Sequence, residues 1–158
     1  MSTEDKIWKP HVTVASVIEE DGKFLLVEET INGERVLNQP AGHLESNETI
    51  LEAVVRETLE ETAWDIQPRH LINISRLFLR HKNRTYIRFN VASQAVKFNP
   101  ERELDTGINC ALWLTAEEII NSAHRHRSPL VIQSIKDYNS GLRYPLSLLQ
   151  DMEILADS

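Results

Sequence analysis

Runs of apolar residues separated by turn residues divide the first part of the chain into strands. Residues 11–18 (HVTVASVI) are rich in β-branched side chains and almost continuously apolar, which is typical of a buried central strand. After the Asp-Gly pair at 21–22, residues 23–28 (KFLLVE) have the pattern of a returning hairpin strand. A second turn, Asn-Gly at 32–33, precedes a short strand at 36–39. This part of the chain therefore predicts a sheet.

Residues 42–64 have a different period, which predicts one helix of about four to five turns. Ser46 or Asn47 is a suitable N-terminal cap, Glu48 falls in the first turn, and the helix is expected to end at 61–64. Apolar side chains and one threonine form a stripe along it: Ile50, Leu51, Val54, Val55 and Thr58. We expect this stripe to pack against the sheet.

Three glutamates share another flank of the predicted helix. Glu57, Glu60 and Glu61 are three and four residues apart, so their carboxylates crowd together near the C-terminal end. Like charges at this spacing cost roughly 0.2–0.5 kcal/mol per pair, and anions at a helix C-terminus add about 0.3–1 kcal/mol. Oxygen ligands without Cys or His suit Mg²⁺ or Mn²⁺ better than zinc. The flank is therefore a candidate metal site; the alternative is a solvated acidic face.

Beyond Pro68, the pattern predicts two strands and a loop. Residues 71–79 and 85–96 alternate loosely between apolar and polar side chains and are joined by a polar turn at 81–84. Residues 98–108 combine Pro and Gly with three acidic residues, which is typical of a loop.

The last part of the chain predicts one strand and two helices. An apolar run at 110–114 is expected to be a short buried strand that hides the thiol of Cys110. Two helices follow, one from a Thr-x-x-Glu capping box to about 123 and one from Ser-Pro to residue 140. The basic link at 124–127 is interpreted as a solvated loop, and the apolar segment 142–154 is expected to dock on the body.

Composition and element order limit the class of protein. Strands, a helix, strands and then helices predict an α/β fold with a mixed sheet sandwiched between helices, and we expect a single domain over residues 1–158. The net charge of −7 argues against broad nucleic-acid binding. A polar N-terminus, the lack of a long apolar run and a single cysteine predict a soluble, cytoplasmic protein. We expect a monomer with no membrane partner and no stable nucleic-acid partner.

The sequence around the three glutamates resembles the Nudix box of the Nudix hydrolases. The match consists of Gly42, then Glu48 after five residues, then RETLEETAW at 56–64 after seven more. Thr58 stands where an aliphatic residue is usual, and Ala63 stands where the family has glycine. If that glycine forms a left-handed helix end, alanine there costs roughly 1–2 kcal/mol. Length and element order resemble the Nudix fold across essentially the whole chain.

The resemblance implies a metal-dependent hydrolase of phosphoanhydrides and a set of metal ligands. The implied ligands are the backbone carbonyl of Ala41 or Gly42 and the carboxylates of Glu57, Glu60 and Glu61. Glu57 or Glu60 is the implied general base, and the residues do not separate the two. A carboxylate from the loop after the box is also implied, with Glu103 as the candidate and Glu101 and Asp105 as the alternatives.

The resemblance gives Arg56 and Glu48 a structural role, in which they pair to orient the metal-binding face. On one continuous helix these residues would lie roughly 12 Å apart, so direct pairing would need long side chains. His43, Arg35 and Arg88 are candidate substrate contacts, and each could also be an ordinary surface residue.

Longer segments resemble one branch of the family, the NudJ-type phosphatases. These segments are HVTVASVI, VEETINGERVLNQPAGHLE, SPLVIQSI and SGLRYPL. That resemblance implies phosphate release from nucleoside di- and triphosphates and from small diphosphates such as hydroxymethylpyrimidine diphosphate. A nucleotide-sugar or dinucleotide pyrophosphatase is the enzymatic alternative, and a Nudix-like ligand-binding regulatory module is the alternative of another class. Such modules commonly lose the box carboxylates, which this sequence retains.

Overall fold

A mixed sheet forms the centre of the computed structural model, which describes residues 7–153. Its strands are β1 (His11–Glu20), β2 (Lys23–Ile31), β3 (Glu34–Asn38), β4 (Ala41–His43), β5 (Trp64–Leu79), β6 (Arg84–Phe98) and β7 (Ile108–Thr115). The helices are α1 (Ile50–Thr62), α2 (Ala116–Asn121) and α3 (Leu130–Asn139). The strand order is β3-β2-β1-β6-β5, with β4 paired to β1 and β7 paired to β2. β1 and β6 run parallel, and the other pairs are antiparallel.

Helices cover both faces of the sheet, which confirms the predicted α/β sandwich. Side chains of β1 alternate between the two faces, as strand geometry requires. Val14 and Ile18 join a core with Val54 of α1, whereas Val17 joins a second core with Val131 of α3. In residues 7–153, no helix is long and apolar enough to cross a membrane.

The helix α1 begins later than the sequence predicted. Its N-cap is Thr49, whose Oγ1 accepts the N–H of Glu52 at 3.1 Å, while Glu52 Oε2 accepts the N–H of Thr49 at 2.8 Å. This reciprocal pair is a capping box. The prediction of Ser46 or Asn47 as the cap was therefore wrong, and Glu48 precedes the helix.

The helix α1 ends in a left-handed turn at Ala63, a possibility that the resemblance had left open. Ala63 has φ 62° and ψ 14°, and its N–H donates to the carbonyl of Leu59 at 2.9 Å. The chain thus bears the cost of an alanine in this conformation, about 1–2 kcal/mol. Thr58 is fully buried, and its hydroxyl donates to the carbonyl of Val54 at 2.8 Å, so the polar group is satisfied inside the helix.

Three strand predictions need correction. Residues Ala41–His43 form β4, where the sequence indicated only a break. β5 starts directly after α1 and contains Pro68, which is tolerated because β5 is an edge strand. Cys110 is exposed, since β7 is also an edge strand and turns this side chain outward.

The other elements follow the predicted order. The loop between β6 and β7 is present, and Thr115 caps α2 through the predicted box with Glu118. Gly141, with φ 86°, follows the end of α3. Leu146 and Leu149 dock on the core beside α1, while residue 154 lies outside the described residues.

We predict that Thr49→Ala lowers the free energy of unfolding by about 1 kcal/mol, because the helix loses its N-cap acceptor. Ser46→Ala is the matched control, since Ser46 lies outside the helix, and it should shift the value by less than about 0.5 kcal/mol. Urea denaturation of both variants measures the difference. A larger loss in Ser46→Ala than in Thr49→Ala would contradict the observed helix start.

Candidate active site

The carboxylates of α1 meet the backbone of β4. A Cβ atom added to Gly42 would lie 2.0 Å from Cδ of Glu57, so only glycine leaves room for that carboxylate. Glu61 Oε2 accepts the N–H of Ala41 at 2.9 Å. Two of the three predicted glutamates are therefore held against the strand that precedes the helix.

Arg56 is the counter-ion of this cluster. Its Nε and Nη2 donate to the two carboxylate oxygens of Glu48 at 2.8 and 2.6 Å. Its Nη1 donates to Glu57 at 2.8 Å and to Glu60 at 3.1 Å. The direct pair with Glu48 forms because Glu48 lies on the loop before the helix, not two turns along it. Arg56 thus joins this loop to the carboxylate flank of α1.

Negative charge is in excess at the cluster. The pKa of Glu61 is raised to about 8, chiefly by burial and also by the charges of Glu29, Glu57 and Asp105. Burial also raises the pKa of Glu57, although Arg56 opposes that shift. The single guanidinium of Arg56 forms ion pairs with four carboxylates, and no salt bridge within residues 7–153 involves Glu61. A divalent cation would supply the missing positive charge.

The donor set fits a hard divalent cation. The available ligands are carboxylate oxygens and the backbone carbonyls of Ala41 and Gly42, which Mg²⁺ and Mn²⁺ prefer. Within the described part of the chain, no three acidic, His or Cys side chains already converge on one point. The reason is that Glu57 and Glu60 point at Arg56, and Glu61 points at the N–H of Ala41.

The loop between β6 and β7 places Asp105 beside the cluster. The N–H of Asp105 donates to the carbonyl of Glu60 at 3.0 Å, and its charge raises the pKa values of both Glu57 and Glu61. Glu103, the candidate from the sequence, is exposed like Asp105, but it makes no hydrogen bond or ion pair with a described residue. The structure therefore favours Asp105 as the acid that this loop contributes.

A cleft of about 390 Å³ opens next to the cluster and includes Glu61, His43 and Arg88 in its lining. His43 Nε2 lies 3.2 Å from Nδ1 of His11, at one edge of the cleft. Arg35 points away from it: the side chain is 74% exposed and lies 3.6 Å from Glu28. Of the three predicted substrate contacts, the structure thus brings His43 and Arg88 to the cleft, and Arg35 does not reach it.

The basic link at 124–127 contributes Arg127 to a wall of this cleft, which was not predicted from the sequence. Residues 124–127 were interpreted as solvated, but Arg125 pairs with Glu28 at 2.5 Å, and Arg127 pairs with the buried Glu29. Arg127 and Glu29 both line the cleft. The available signal was Glu29, a glutamate within a mainly apolar strand, because a buried glutamate requires a cation nearby.

Comparison with known proteins identifies the class of this enzyme. Residues 8–133 match the model of the NUDIX domain, and the chain belongs to the Nudix family. It is 47% identical over 145 residues to Phosphatase NudJ of Escherichia coli strain K12, which covers 92% of this chain and 94% of that protein. These similarities support a phosphohydrolase, in agreement with the predicted box.

Solved structures agree with this assignment. A NUDIX hydrolase from Nitrosomonas europaea is 50% identical, with a TM-score of 0.89 over 91% of this chain and 98% of that one. An ADP-ribose pyrophosphatase from Streptococcus suis is 15% identical, with a TM-score of 0.64 over 86% of this chain and 96% of that one, and shares the fold alone. Nudix hydrolases generally use a divalent metal and act on small phosphorylated substrates.

We predict that Gly42→Ala lowers the affinity for Mn²⁺ by at least about tenfold, because the new methyl group displaces the Glu57 carboxylate. The backbone can accommodate alanine here, since the φ angle of Gly42 is not in the left-handed region. Isothermal titration calorimetry measures the affinity, and circular dichroism checks the fold. Unchanged affinity in a folded variant would refute the close contact between Gly42 and Glu57.

We predict that Glu61 makes the metal-free protein less stable as pH rises. Its pKa is raised from 4.5 to about 8 in the folded state, so folding favours the protonated form. The stabilisation by protonated Glu61 is fully present below pH 4.5. It is lost as pH rises from 4.5 through 8, by up to about 1.4 kcal/mol per pH unit.

Urea denaturation with a chelator present, from acidic to alkaline pH, measures this effect. The difference in unfolding free energy between wild type and Glu61→Gln isolates the glutamate from other titrating groups. If the difference in unfolding free energy between the two proteins does not change with pH, the pKa of Glu61 is not raised in the folded state.

Proposed function

We propose that this Nudix hydrolase cleaves phosphoanhydride bonds of nucleoside di- and triphosphates and of small diphosphates such as hydroxymethylpyrimidine diphosphate. The proposed product is orthophosphate, and the proposed cofactor is Mg²⁺ or Mn²⁺. The observation that carries the proposal is the excess of carboxylate charge on α1, beside a cleft that also holds a buried arginine. The 47% identity with a phosphatase supports release of phosphate.

The residues of the cluster divide the chemistry among them. Glu57, Glu60 and Glu61 would hold the metal, together with a carbonyl of Ala41 or Gly42, and Asp105 is better placed than Glu103 to assist. When bound, the ion supplies neutralisation of phosphate oxygens and a more acidic water. Glu57 or Glu60 accepts the proton of the attacking water.

The pair of Arg56 and Glu48 keeps these carboxylates in place. Arg56 contacts Glu57 and Glu60 through one nitrogen, while its other two nitrogens are bound to Glu48. The bidentate pair with Glu48 fixes the plane of the Arg56 guanidinium. The position of Nη1, which donates to Glu57 and Glu60, is fixed with it. Both residues therefore act by positioning, without contact to the substrate.

A nucleotide-sugar or dinucleotide pyrophosphatase would use the same cluster and give different products. A screen of nucleotides, thiamine-pathway diphosphates and nucleotide sugars, with and without Mg²⁺, tests the proposal. Metal-dependent orthophosphate from nucleoside triphosphates or small diphosphates supports it. Two nucleotide-level products from a dinucleotide, with no orthophosphate from the other compounds, would favour the pyrophosphatase.

We predict that Glu60→Gln lowers kcat by about 10²- to 10⁴-fold at saturating Mg²⁺, because a metal ligand or the base is lost. The fold should persist, since this side chain is partly exposed. Glu117→Gln, on the exposed face of α2, is the matched control. If folded Glu60→Gln turned over substrate at the wild-type rate, Glu60 would be neither a metal ligand nor the general base.

A further inference from the structure

Arg88 lies in the cleft and forms no ion pair with any of residues 7–153. In the sheet, Arg88 of β6 is level with Thr13 of β1, and Thr13 is level with His43 of β4. Residues in register point to the same face, and all three line the cleft. Nε and Nη1 of Arg88 and Oγ1 of Thr13 are hidden from solvent and have no hydrogen-bond partner among the residues that the structure describes. Unsatisfied donors therefore lie side by side on two neighbouring strands, β1 and β6, and His43 of β4 is level with them.

This arrangement is costly unless a ligand completes it. Burial lowers the pKa of Arg88 to about 10, so the guanidinium is still charged at neutral pH. A buried charge without a partner is strongly destabilising, and buried unsatisfied donors in a native protein require an explanation. Oxygens of a phosphate group accept several hydrogen bonds and carry the charge that a guanidinium binds best.

Apart from Glu61, whose Oε2 accepts the N–H of Ala41, Glu29 is the glutamate that competes for Arg88. Its side chain is buried, lines the same cleft and has a charge that raises the pKa of Arg88. Within residues 7–153, however, the only ion pair of Glu29 is with Nη1 of Arg127. The backbone of Arg127 is fixed, because its N–H donates to the carbonyl of Leu37 at 2.9 Å. Arg127 therefore holds Glu29, and Arg88 stays free.

We propose that Arg88 binds a phosphate oxygen of the substrate, and that Arg127 is a positioning residue that keeps Glu29 from neutralising Arg88. This proposal rests on the proposed function, since it assigns the anion-binding wall of the same cleft. It also gives opposite roles to two arginines of one cleft: one contacts the substrate, and the other acts through a glutamate.

A double-mutant cycle separates these roles. Arg88→Gln should raise KM for a nucleoside triphosphate about 10- to 100-fold with a much smaller effect on kcat, because a charge-assisted contact is lost. Arg127→Gln should raise KM about tenfold, because the freed Glu29 pairs with Arg88. In the Glu29→Gln background, Arg127→Gln should change KM by less than about twofold.

Arg125→Gln is the matched control. It breaks the neighbouring pair with Glu28, and neither Arg125 nor Glu28 lines the cleft, so KM should stay within about twofold of wild type. Circular dichroism verifies the fold of every variant. A rise in KM for Arg127→Gln that persists in the Glu29→Gln background would mean that Arg127 contacts substrate directly, and this would overturn the positioning role. No rise in either background would overturn it as well.

Binding of inorganic pyrophosphate to the metal-free protein gives a readout independent of turnover. Calorimetry should rank the affinities as wild type first, then Arg127→Gln, then Arg88→Gln. If no diphosphate is hydrolysed but this ranking holds, the proposed function fails and the anion site stands. If phosphate is released but Arg88→Gln binds pyrophosphate as tightly as wild type, the anion site fails and the proposed function stands.

Discussion

The burial of carboxylate charge at the end of α1 is the constraint on which the rest of the site depends. Repulsion between glutamates one turn apart costs only roughly 0.2–0.5 kcal/mol per pair. The shift in the pKa of Glu61 from 4.5 to about 8 corresponds to roughly 5 kcal/mol, so removal from water is the larger effect. Arg56 offsets part of the charge on Glu57 and Glu60, but it does not reach Glu61. Among the described residues, the Glu61 carboxylate is therefore left without a cationic partner, and a bound cation would stabilise it.

The short strand β4 connects the two halves of the site. Ala41 and Gly42 contact the carboxylates of α1, while His43 is level with Thr13 and faces the cleft. Because consecutive residues of a strand point to opposite faces, Gly42 faces the Glu57 carboxylate of α1, whereas His43 faces the cleft. A shift of β4 would thus disturb both sides together.

Helical period and the box spacing predicted much of the carboxylate cluster, because three glutamates within five positions must share a flank. The start of α1 was missed, since Ser46, Asn47 and Thr49 are all capping residues. Only Thr49 has a glutamate three positions later, and this signal was available. Asp105 and Glu103 could not be separated, because loop geometry decides which acid turns toward the helix.

The cleft could not be predicted from the sequence, because it is formed by contacts between distant parts of the chain. Arg127 and Glu29 are 98 positions apart, and no local pattern joins them. Arg88 comes level with Thr13 only through the parallel pairing of β1 and β6. Edge positions explain two other errors: Pro68 lies within β5, and Cys110 is exposed on β7, because an edge strand has an unpaired side and less cover.

Anomalous diffraction from a crystal soaked in Mn²⁺ tests the central claim most directly. We expect a strong anomalous peak bounded by the carboxylates of Glu57, Glu60 and Glu61, with Arg56 still bound to Glu48. A crystal with manganese at other sites and no peak among these three glutamates would contradict the account.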